Sequence, residues 1–182
     1  MAVEQEIKLA YPSPEAARQA IAAAGGRLVH PRRLIEDRLF DDAEDRLRRA
    51  GTALRVRQDA ARAFLTWKGP VAGDGAIKAR EELETAVGDA HVLVTVLRAL
   101  GYRERFRSQK YREEYALAGA VVTVDETPCG VFAEIEGDSS AIAAVAAALG
   151  RGPSEYILAS YPSLWFEWCH ARGHVPGDML FT

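Results

Sequence analysis

The chain has 182 residues, of which 48% are hydrophobic and 27% are charged, a composition that predicts one compact domain with a sizeable core. Its formal net charge of -3 argues against a general nucleic-acid-binding protein, although it leaves room for a locally basic cavity. The two cysteines, Cys129 and Cys169, stand far apart and the four histidines are scattered, so neither a disulfide framework nor a zinc site is expected.

The sequence also shows neither the pattern of a membrane-spanning helix nor that of a signal peptide. No apolar run reaches the roughly 18–20 residues that a membrane-spanning helix needs. The N-terminal sequence enters charged, alternating structure at once, without the apolar h-region of a signal peptide. We therefore expect a cytoplasmic protein with no membrane partner.

The first predicted strand, residues 3–10, alternates charged and apolar side chains. Glu4, Glu6 and Lys8 share one face, because successive side chains of a strand point to opposite sides. Alone, this pattern is weak evidence for a site, since most alternating strands simply show one face to water.

The rest of the chain mixes predicted helices and strands. Helices are expected from Ser13-Pro14 to Gly25-Gly26, at 89–100, at 139–149 and around 160–171, with a short polar turn or helix at 42–50. Further strands are expected over 27–41, 52–58, 62–68, 77–85, two segments of 102–117 with a break near Ser108, 121–127 and 131–137.

Two proline positions refine this outline. Pro31 makes the strand at 27–41 irregular or places that part at a sheet edge. Gly69-Pro70 are expected to end the strand at 62–68, and a glycine-containing loop follows up to residue 75. We predict a single α+β domain over residues 1–182, with a C-terminal helix and tail at about 154–182.

Almost every later strand repeats the charged face of the first one. The basic residues on these faces are Lys8, Arg55, Arg57, Lys68, Arg80, Lys110 and Arg112. The acidic residues are Glu4, Glu6, Glu82, Glu84, Asp125, Glu134 and Glu136. The opposite faces are largely aliphatic or aromatic, and the alanine- and leucine-bearing helices need an apolar surface to cover.

Two architectures are compatible with helices that pack on the apolar strand faces. An open antiparallel sheet would leave the charged faces solvated on one side. A closed barrel of about eight strands would instead turn them into a polar lumen, with the helices outside. Because an unpaired buried charge costs several kcal/mol or more, such a lumen must be wet, internally paired, or built for a charged ligand.

The two charged sets together indicate the kind of ligand. Converging lysines and arginines suit a polyphosphate, and clustered carboxylates suit Mg²⁺ or Mn²⁺, which prefer oxygen ligands and bridge phosphate oxygens. A groove for nucleic acid would pair basic residues with stacking aromatic side chains and carry few carboxylates. The pattern therefore favours a small metal–triphosphate complex over nucleic acid.

At this point the sequence resembles a known family, the CYTH domain or triphosphate tunnel metalloenzymes. That superfamily includes class IV adenylyl cyclases, thiamine triphosphatases and inorganic triphosphatases. The matching motifs run in family order along nearly the whole chain: Glu4-x-Glu6-x-Lys8, Asp37 with Phe40-Asp41, Leu54-Arg55-Val56-Arg57, Trp67-Lys68-Gly69-Pro70, Arg80 with Glu82 and Glu84, Lys110-x-Arg112, Asp125, Gly130-x-Phe132-x-Glu134-Ile135-Glu136, and Ser160-Tyr161. Leu39 departs from the family, which often has tyrosine there.

The resemblance implies a tunnel of eight antiparallel strands with helices outside. By position, the residues that would bind phosphate oxygens are Lys8, Arg55, Arg57, Lys68, Lys110 and Arg112, with Arg80 added as a catalytic cation. Divalent metal would be held by Glu4, Glu6, Glu134 and Glu136, with Asp125 and one of Glu82 or Glu84 assisting. Two Mg²⁺ or Mn²⁺ ions are expected with substrate bound, and family members are often homodimers.

Three functions remain open from the sequence. The first is a metal-dependent triphosphatase acting on an inorganic or organic triphosphate. The second is a class IV adenylyl cyclase, in which the ribose 3′-hydroxyl attacks the α-phosphate of ATP and pyrophosphate leaves. The third is a non-catalytic binder of polyphosphate or nucleotide, which the intact acidic set disfavours because carboxylates weaken anion binding unless metal joins them.

Overall fold

The computed structural model describes residues 3–72 and 75–182, and its centre is a closed antiparallel barrel. The strands in those ranges are β1 (Val3–Tyr11), β2 (Arg27–Asp41), β3 (Ala53–Asp59), β4 (Arg62–Ala72), β5 (Lys78–Val87), β6 (Arg103–Leu117), β7 (Ala120–Thr127) and β8 (Gly130–Glu136). They are joined in the order β1-β5-β4-β3-β2-β6-β7-β8, and β8 closes the ring by pairing with β1. The predicted α+β class and closed eight-stranded barrel are confirmed.

The helices lie outside the barrel and begin at polar caps. They are α1 (Pro14–Ala23), α2 (Arg46–Arg49), α3 (Ala90–Ala99), α4 (Ser139–Ala148) and α5 (Tyr161–Ala171), with one 3₁₀ turn at Pro153–Glu155. Ser13, Asp89 and Asp138 each accept a backbone N–H of the first turn that would otherwise lack a partner.

The apolar core lies between these helices and the outer barrel surface. The larger cluster joins α1 and α4 to the outward faces of β1, β6, β7 and β8, for example through Ile21, Ile135 and Val145. A smaller cluster packs Val94 and Leu97 of α3 on Phe40 and Val56. With apolar side chains outside, the alternate residues of every strand must point inward, which is why the lumen is charged.

The predicted end of β4 at Gly69-Pro70 is wrong, because the strand continues to Ala72. Its pairing with β5 shifts register between Lys68 and Val71, and this bulge takes Pro70 out of the ladder, where its missing N–H would otherwise leave a gap. The glycine-containing loop that was predicted next falls partly on residues 73 and 74, which lie outside the described residues.

The predicted break near Ser108 is also wrong, since β6 is one continuous strand of 15 residues. Ser108 pairs with Asp37 of β2 on one side and forms a parallel bridge to Met179 of the C-terminal tail on the other. The predicted irregularity at Pro31 is confirmed, because the β2–β6 register shifts between Leu28 and His30 and again between His30 and Arg33.

Candidate active site

The barrel lumen is one cavity of about 1020 Å³, and it collects nearly all of the charged residues that the sequence singled out. The lining cations among the predicted site residues are Lys8, Arg55, Arg57, Lys68, Arg80, Lys110 and Arg112. The lining carboxylates among them are Glu4, Glu6, Glu82, Glu84, Glu134 and Glu136. Residues from six of the eight strands therefore converge on one space, as strand alternation requires.

Asp125 is the predicted site residue that lies behind the lining. It is fully buried and accepts hydrogen bonds from Lys110 Nζ at 2.9 Å, Arg112 Nε at 2.7 Å and the Tyr161 hydroxyl at 2.6 Å. These contacts position Lys110 and Arg112. The metal-assisting role of Asp125 that the family resemblance implies stays a prediction.

One end of the lumen contains a set of mutually paired charges, which we call the paired cluster: Lys8, Lys110, Arg112, Asp125, Glu134 and Tyr161. Lys8 Nζ lies 3.1 Å from Glu134 Oε1 and 3.3 Å from Glu6 Oε1, and Arg112 also contacts Glu134. Burial alone would raise the pKa of Glu134, but Lys110, Lys8 and Arg112 hold it well below its usual range. Glu134 is therefore a stable carboxylate among cations.

The two lysines of the paired cluster differ in their response to burial. Burial and the neighbouring Arg112 lower the pKa of Lys110 to about 8. For Lys8 burial acts in the same direction, but Glu134 and Glu6 outweigh it and raise the pKa. Both ammonium groups lie near the Tyr161 ring, at 5.2 Å for Lys8 and 4.6 Å for Lys110, where the ring face adds a favourable contact.

Arg57 is held by a bidentate ion pair with Asp37 on the neighbouring strand β2. Its Nε and Nη2 atoms lie 2.7 Å and 2.9 Å from the two carboxylate oxygens. Against the effect of burial, Arg57 and Arg55 keep the pKa of Asp37 far below its usual range. This pair fixes the plane of the Arg57 guanidinium before any ligand arrives.

The other end of the lumen carries carboxylates that crowd one another, and we call Glu4, Glu82 and Glu136 the acidic cluster. Lys68 Nζ lies 2.6 Å from Glu4 and 2.5 Å from Glu82, so two carboxylates share one ammonium group. Burial and the contact with Glu82 raise the pKa of Glu4. Glu136 is exposed at the rim and has no ion pair with any described residue; partial desolvation, with Glu4 and Glu134 nearby, raises its pKa to about 7.

Three polar atoms in the lumen are buried without a hydrogen-bond partner in the described ranges: Arg55 Nε, Thr123 Oγ1 and Glu82 Oε2, of which the last still has an ion-pair contact with Lys68. Buried polar groups in native proteins nearly always have a partner, so each marks a place where a ligand atom or water completes the site. The Arg55 Nη2 atom, by contrast, contacts Thr66 Oγ1 at 3.1 Å and Glu84 at 3.3 Å.

The donor set fits a hard divalent cation in its chemistry. Carboxylate oxygens are the ligands that Mg²⁺ and Mn²⁺ prefer. Glu4 and Glu82 share the Lys68 ammonium group, and Glu136 has no ion-pair partner among the described residues. In the described part of the chain, no three His, Cys, Asp or Glu side chains already stand together in a metal-binding arrangement. The fit is therefore one of charge and ligand type, with Glu4, Glu82 and Glu136 as the residues that would hold the ion.

Both candidates on strand β5 face the lumen, which resolves their register. Glu82 lies deep and contacts Lys68, whereas the Glu84 side chain is 40% exposed and accepts a hydrogen bond from Thr66 at 2.8 Å. Arg80 donates its Nε to the Gly69 carbonyl at 2.9 Å, so part of its guanidinium is used to hold the β4 bulge.

Three residues of the site lay outside the predicted set: Asp37, Lys78 and Tyr161. Lys78 alternates in phase with Arg80 and Glu82 on its strand, so the period of two could have found it. Asp37 stands among the family motifs, but no predicted site residue shares its strand. Lys78 contacts Glu6. Tyr161 begins a helix, and only the packing of α5 against the barrel brings its hydroxyl to Asp125.

The C-terminal segment adds one wall of the cavity. Ile157 exchanges both backbone hydrogen bonds with Lys8, and Met179 pairs with β6. Trp165 Nε1 donates to the Gly177 carbonyl at 2.8 Å, and Trp165 stacks on Trp168, so these side chains hold the tail against α5. The tail thus packs on the barrel through Met179, which is 1% exposed.

Comparison with known proteins agrees with this fold. The family model described as "CYTH domain" matches residues 2–151. A protein of Methanocaldococcus jannaschii that carries the provisional name adenylate cyclase is 28% identical over 135 residues, which cover 74% of this chain and 76% of the relative. Within residues 3–72 and 75–182, no helix combines the length and apolar character needed to cross a membrane.

Several solved structures share the fold. A Pyrococcus horikoshii protein has a TM-score of 0.74 at 26% identity, with 90% of this chain and 98% of the other covered. A Vibrio parahaemolyticus protein provisionally named adenylate cyclase has a TM-score of 0.77 at 19% identity, with coverage of 88% and 96%. A Hippeastrum protein, provisionally named adenylyl cyclase and described as having a dominant triphosphatase activity, has a TM-score of 0.66 at 20% identity, with coverage of 95% and 97%.

Proposed function

This chain belongs to the CYTH domain family, and from that premise we propose that it is a divalent-metal-dependent enzyme that hydrolyses a triphosphate. One observation carries the proposal: a single lumen holds converging lysines and arginines beside a cluster of carboxylates, in which Glu4 and Glu82 share one ammonium group and Glu136 has no ion-pair partner among the described residues. A site for a bare anion would not need the second group, and a site for a metal alone would not need the first.

The phosphate chain binds along the cationic walls of the lumen. Arg57 offers a guanidinium that Asp37 already orients, and Lys8 and Lys110 offer ammonium groups close to the Tyr161 ring. Such pre-oriented donors stabilise the negative charge that spreads over the transferred phosphoryl group without reorganising during the reaction. Arg55 Nε and Thr123 Oγ1 gain the partners that they lack.

Substrate binding changes the charge balance of the lumen in a way that requires cations. Lysines that bind phosphate oxygens are drawn away from Glu4, Glu6, Glu82 and Glu134, which are their present partners. A bound divalent ion would add positive charge beside these carboxylates and would lower the pKa of a water molecule. Glu4, Glu82 and Glu136 are the residues that would hold such an ion.

Hydrolysis of the terminal phosphoryl group completes the proposal. The water oxygen bonds to the terminal phosphorus, the bond from that phosphorus to the bridging oxygen breaks, and the water proton is released. The bridging oxygen leaves on the diphosphate product, where the cations of Lys68 and Arg55 offset its charge. Hydrolysis needs only water and the charged residues of the lumen that bind the triphosphate.

Adenylyl cyclase activity is the second candidate, and the relative from Methanocaldococcus jannaschii with that provisional name favours it. Cyclisation asks for more than hydrolysis does, because the ribose 3′-oxygen must be held in line with the α-phosphate. A non-catalytic binder of polyphosphate is a weaker reading, since the acidic cluster would oppose anion binding in the absence of metal.

Product analysis separates these functions. The protein is incubated with ATP, inorganic triphosphate and thiamine triphosphate, each with Mg²⁺, with Mn²⁺ and with EDTA. We expect orthophosphate and the matching diphosphate or pyrophosphate, and no turnover in EDTA. Cyclic AMP and pyrophosphate formed from ATP faster than orthophosphate would overturn hydrolysis in favour of cyclisation, and binding without turnover would support the non-catalytic reading.

A further inference from the structure

A neutral hydroxyl group lies among the charges of the lumen, on Thr123 of β7. Thr123 lines the cavity and is 5% exposed, and its Oγ1 atom has no hydrogen-bond partner in the part of the chain that the structure describes. Among the described residues, Tyr11 carries the other buried hydroxyl without a partner, and Tyr11 does not line the cavity. Because buried polar groups nearly always have a partner, the Thr123 hydroxyl is available to a molecule that enters the lumen.

Strand pairing places Thr123 between the two charged clusters. Asp125 of the paired cluster is the next residue on the same face of β7, because side chains alternate along a strand. Across the β7–β8 ladder, Thr123 is paired with Glu134, and Val121, the preceding residue on that face, is paired with Glu136 of the acidic cluster. The hydroxyl therefore lies where a phosphoryl group bound by the paired cluster would meet a water molecule on the side of the acidic cluster.

The neighbouring charged groups cannot take over the part that a neutral hydroxyl can play here. Glu134 Oε1 lies 3.1 Å from Lys8 Nζ, and Glu134 Oε2 contacts Arg112 and lies 3.7 Å from Lys110 Nζ, so both carboxylate oxygens already have cationic partners. Lysine and arginine side chains only donate hydrogen bonds, and a carboxylate only accepts them and repels a phosphoryl oxygen. The threonine hydroxyl both donates and accepts, and its β-branched side chain has few rotamers to lose.

We propose that Thr123 orients the attacking water against the terminal phosphoryl group. The inference rests on the proposed function, because it assigns a residue to the hydrolytic step. The hydroxyl accepts a hydrogen bond from the water molecule and donates its own proton to an oxygen of the terminal phosphoryl group. The water oxygen then bonds to phosphorus as the bridging oxygen leaves, and no covalent bond of Thr123 is made or broken. A water molecule that is aligned before the reaction loses less entropy on the way to the transition state.

The variant Thr123→Val removes the hydroxyl, and Thr127→Val on the same strand is the matched control. For Thr123→Val we expect kcat for inorganic triphosphate to fall roughly 10- to 100-fold, the scale of a hydrogen bond to a charged group. The Kd of a non-hydrolysable imido analogue of triphosphate, measured by calorimetry, should rise far less. Thr123→Ser keeps the hydroxyl and should recover most of the lost kcat. Thr127 Oγ1 donates to the Gly130 carbonyl at 2.7 Å and Thr127 does not line the cavity, so Thr127→Val should leave kcat unchanged.

Urea unfolding in EDTA separates this role from a structural one. Thr123→Val removes a buried hydroxyl that has no partner, so its unfolding midpoint should equal or exceed that of wild type, whereas Thr127→Val removes a bonded hydroxyl and should unfold at lower urea. An unchanged kcat in Thr123→Val would overturn the role of Thr123 while hydrolysis stands. A lowered unfolding midpoint, a loss of analogue affinity equal to the loss of kcat, or a phosphorylated Thr123 found by mass spectrometry during turnover would overturn it as well. A wild type that turns over no triphosphate would overturn the proposed function and this role with it.

Discussion

The paired cluster and the acidic cluster lie in the same lumen, but their charges are balanced differently. In the paired cluster Asp125 and Glu134 each contact at least two cations, and the pKa of Glu134 is held low. In the acidic cluster Glu4 and Glu82 share Lys68, and Glu136 has no described ion-pair partner and a raised pKa.

The difference shows which half of the site the protein completes by itself. The paired cluster orients its cations in the free protein, which removes part of the entropy cost of binding an anion. The acidic cluster keeps mutual repulsion that a divalent cation would relieve. The ion pairs of the paired cluster thus stabilise the free protein, whereas the repulsion within the acidic cluster destabilises it until a ligand binds.

The largest expected effect comes from breaking the paired cluster with Asp125→Asn. This change leaves Lys110 and Arg112 buried with less compensation, and removal of one partner of a buried ion pair costs roughly 3–5 kcal/mol. Urea unfolding monitored by circular dichroism measures the loss. Glu136→Gln, on the acidic cluster, is the comparison variant and should not destabilise. Equal stability of Asp125→Asn and wild type would mean that the two ends do not differ as described.

A smaller effect is expected from Arg57→Lys, which sharpens the comparison by testing orientation rather than charge. Lysine keeps the positive charge but loses the bidentate geometry that Asp37 fixes, so we expect KM for the triphosphate to rise about tenfold, or about 1.4 kcal/mol. Steady-state kinetics at saturating Mg²⁺ measure it. Arg38→Lys is the control, because Arg38 pairs with Glu36 at 2.8 Å and does not line the cavity. An unchanged KM would remove Arg57 from the phosphate site.

The smallest effect concerns pH and Glu136. Its pKa is raised from about 4.5 to about 7 in the folded protein, so the folded state binds more protons than the unfolded state between these values. The free energy of unfolding of metal-free protein should therefore fall as pH rises from about 4.5 to 7. We expect no more than about 1 kcal/mol, because the rim is open to water.

Urea unfolding in EDTA at several pH values, repeated with Glu136→Gln, measures this contribution. The variant should show a flatter pH dependence over that window, and added Mg²⁺ should stabilise wild type more than the variant. A pH profile identical in the two proteins would show that Glu136 is not repelled by its neighbours and would weaken the description of the acidic cluster.

Most of the fold and most of the lumen residues could be predicted from the alternation of side chains along the strands. A period of two assigns each residue to one face of its strand, whatever its distant partners are. Glu6 and Glu134 reach the same lumen for this reason. The continuity of β6 through Ser108 could not be predicted from the local sequence, because the strand is supported there by a bridge to Met179, 71 residues further along the chain. The position of Tyr161 in the site could not be predicted either, since helix periodicity does not determine which barrel strand the end of a helix will contact.

The closure of β8 on β1 also has a consequence for the time at which the site forms. During synthesis β1 can pair with β5 early, but its other edge has no partner until residues 130–136 have been made. At 5–20 residues per second, that interval is on the order of ten seconds. Throughout it Lys8 lacks Glu134, and Ile157 arrives later still. The nascent chain therefore carries a half-built, charged strand edge, and charge on such an edge hinders pairing with other nascent chains.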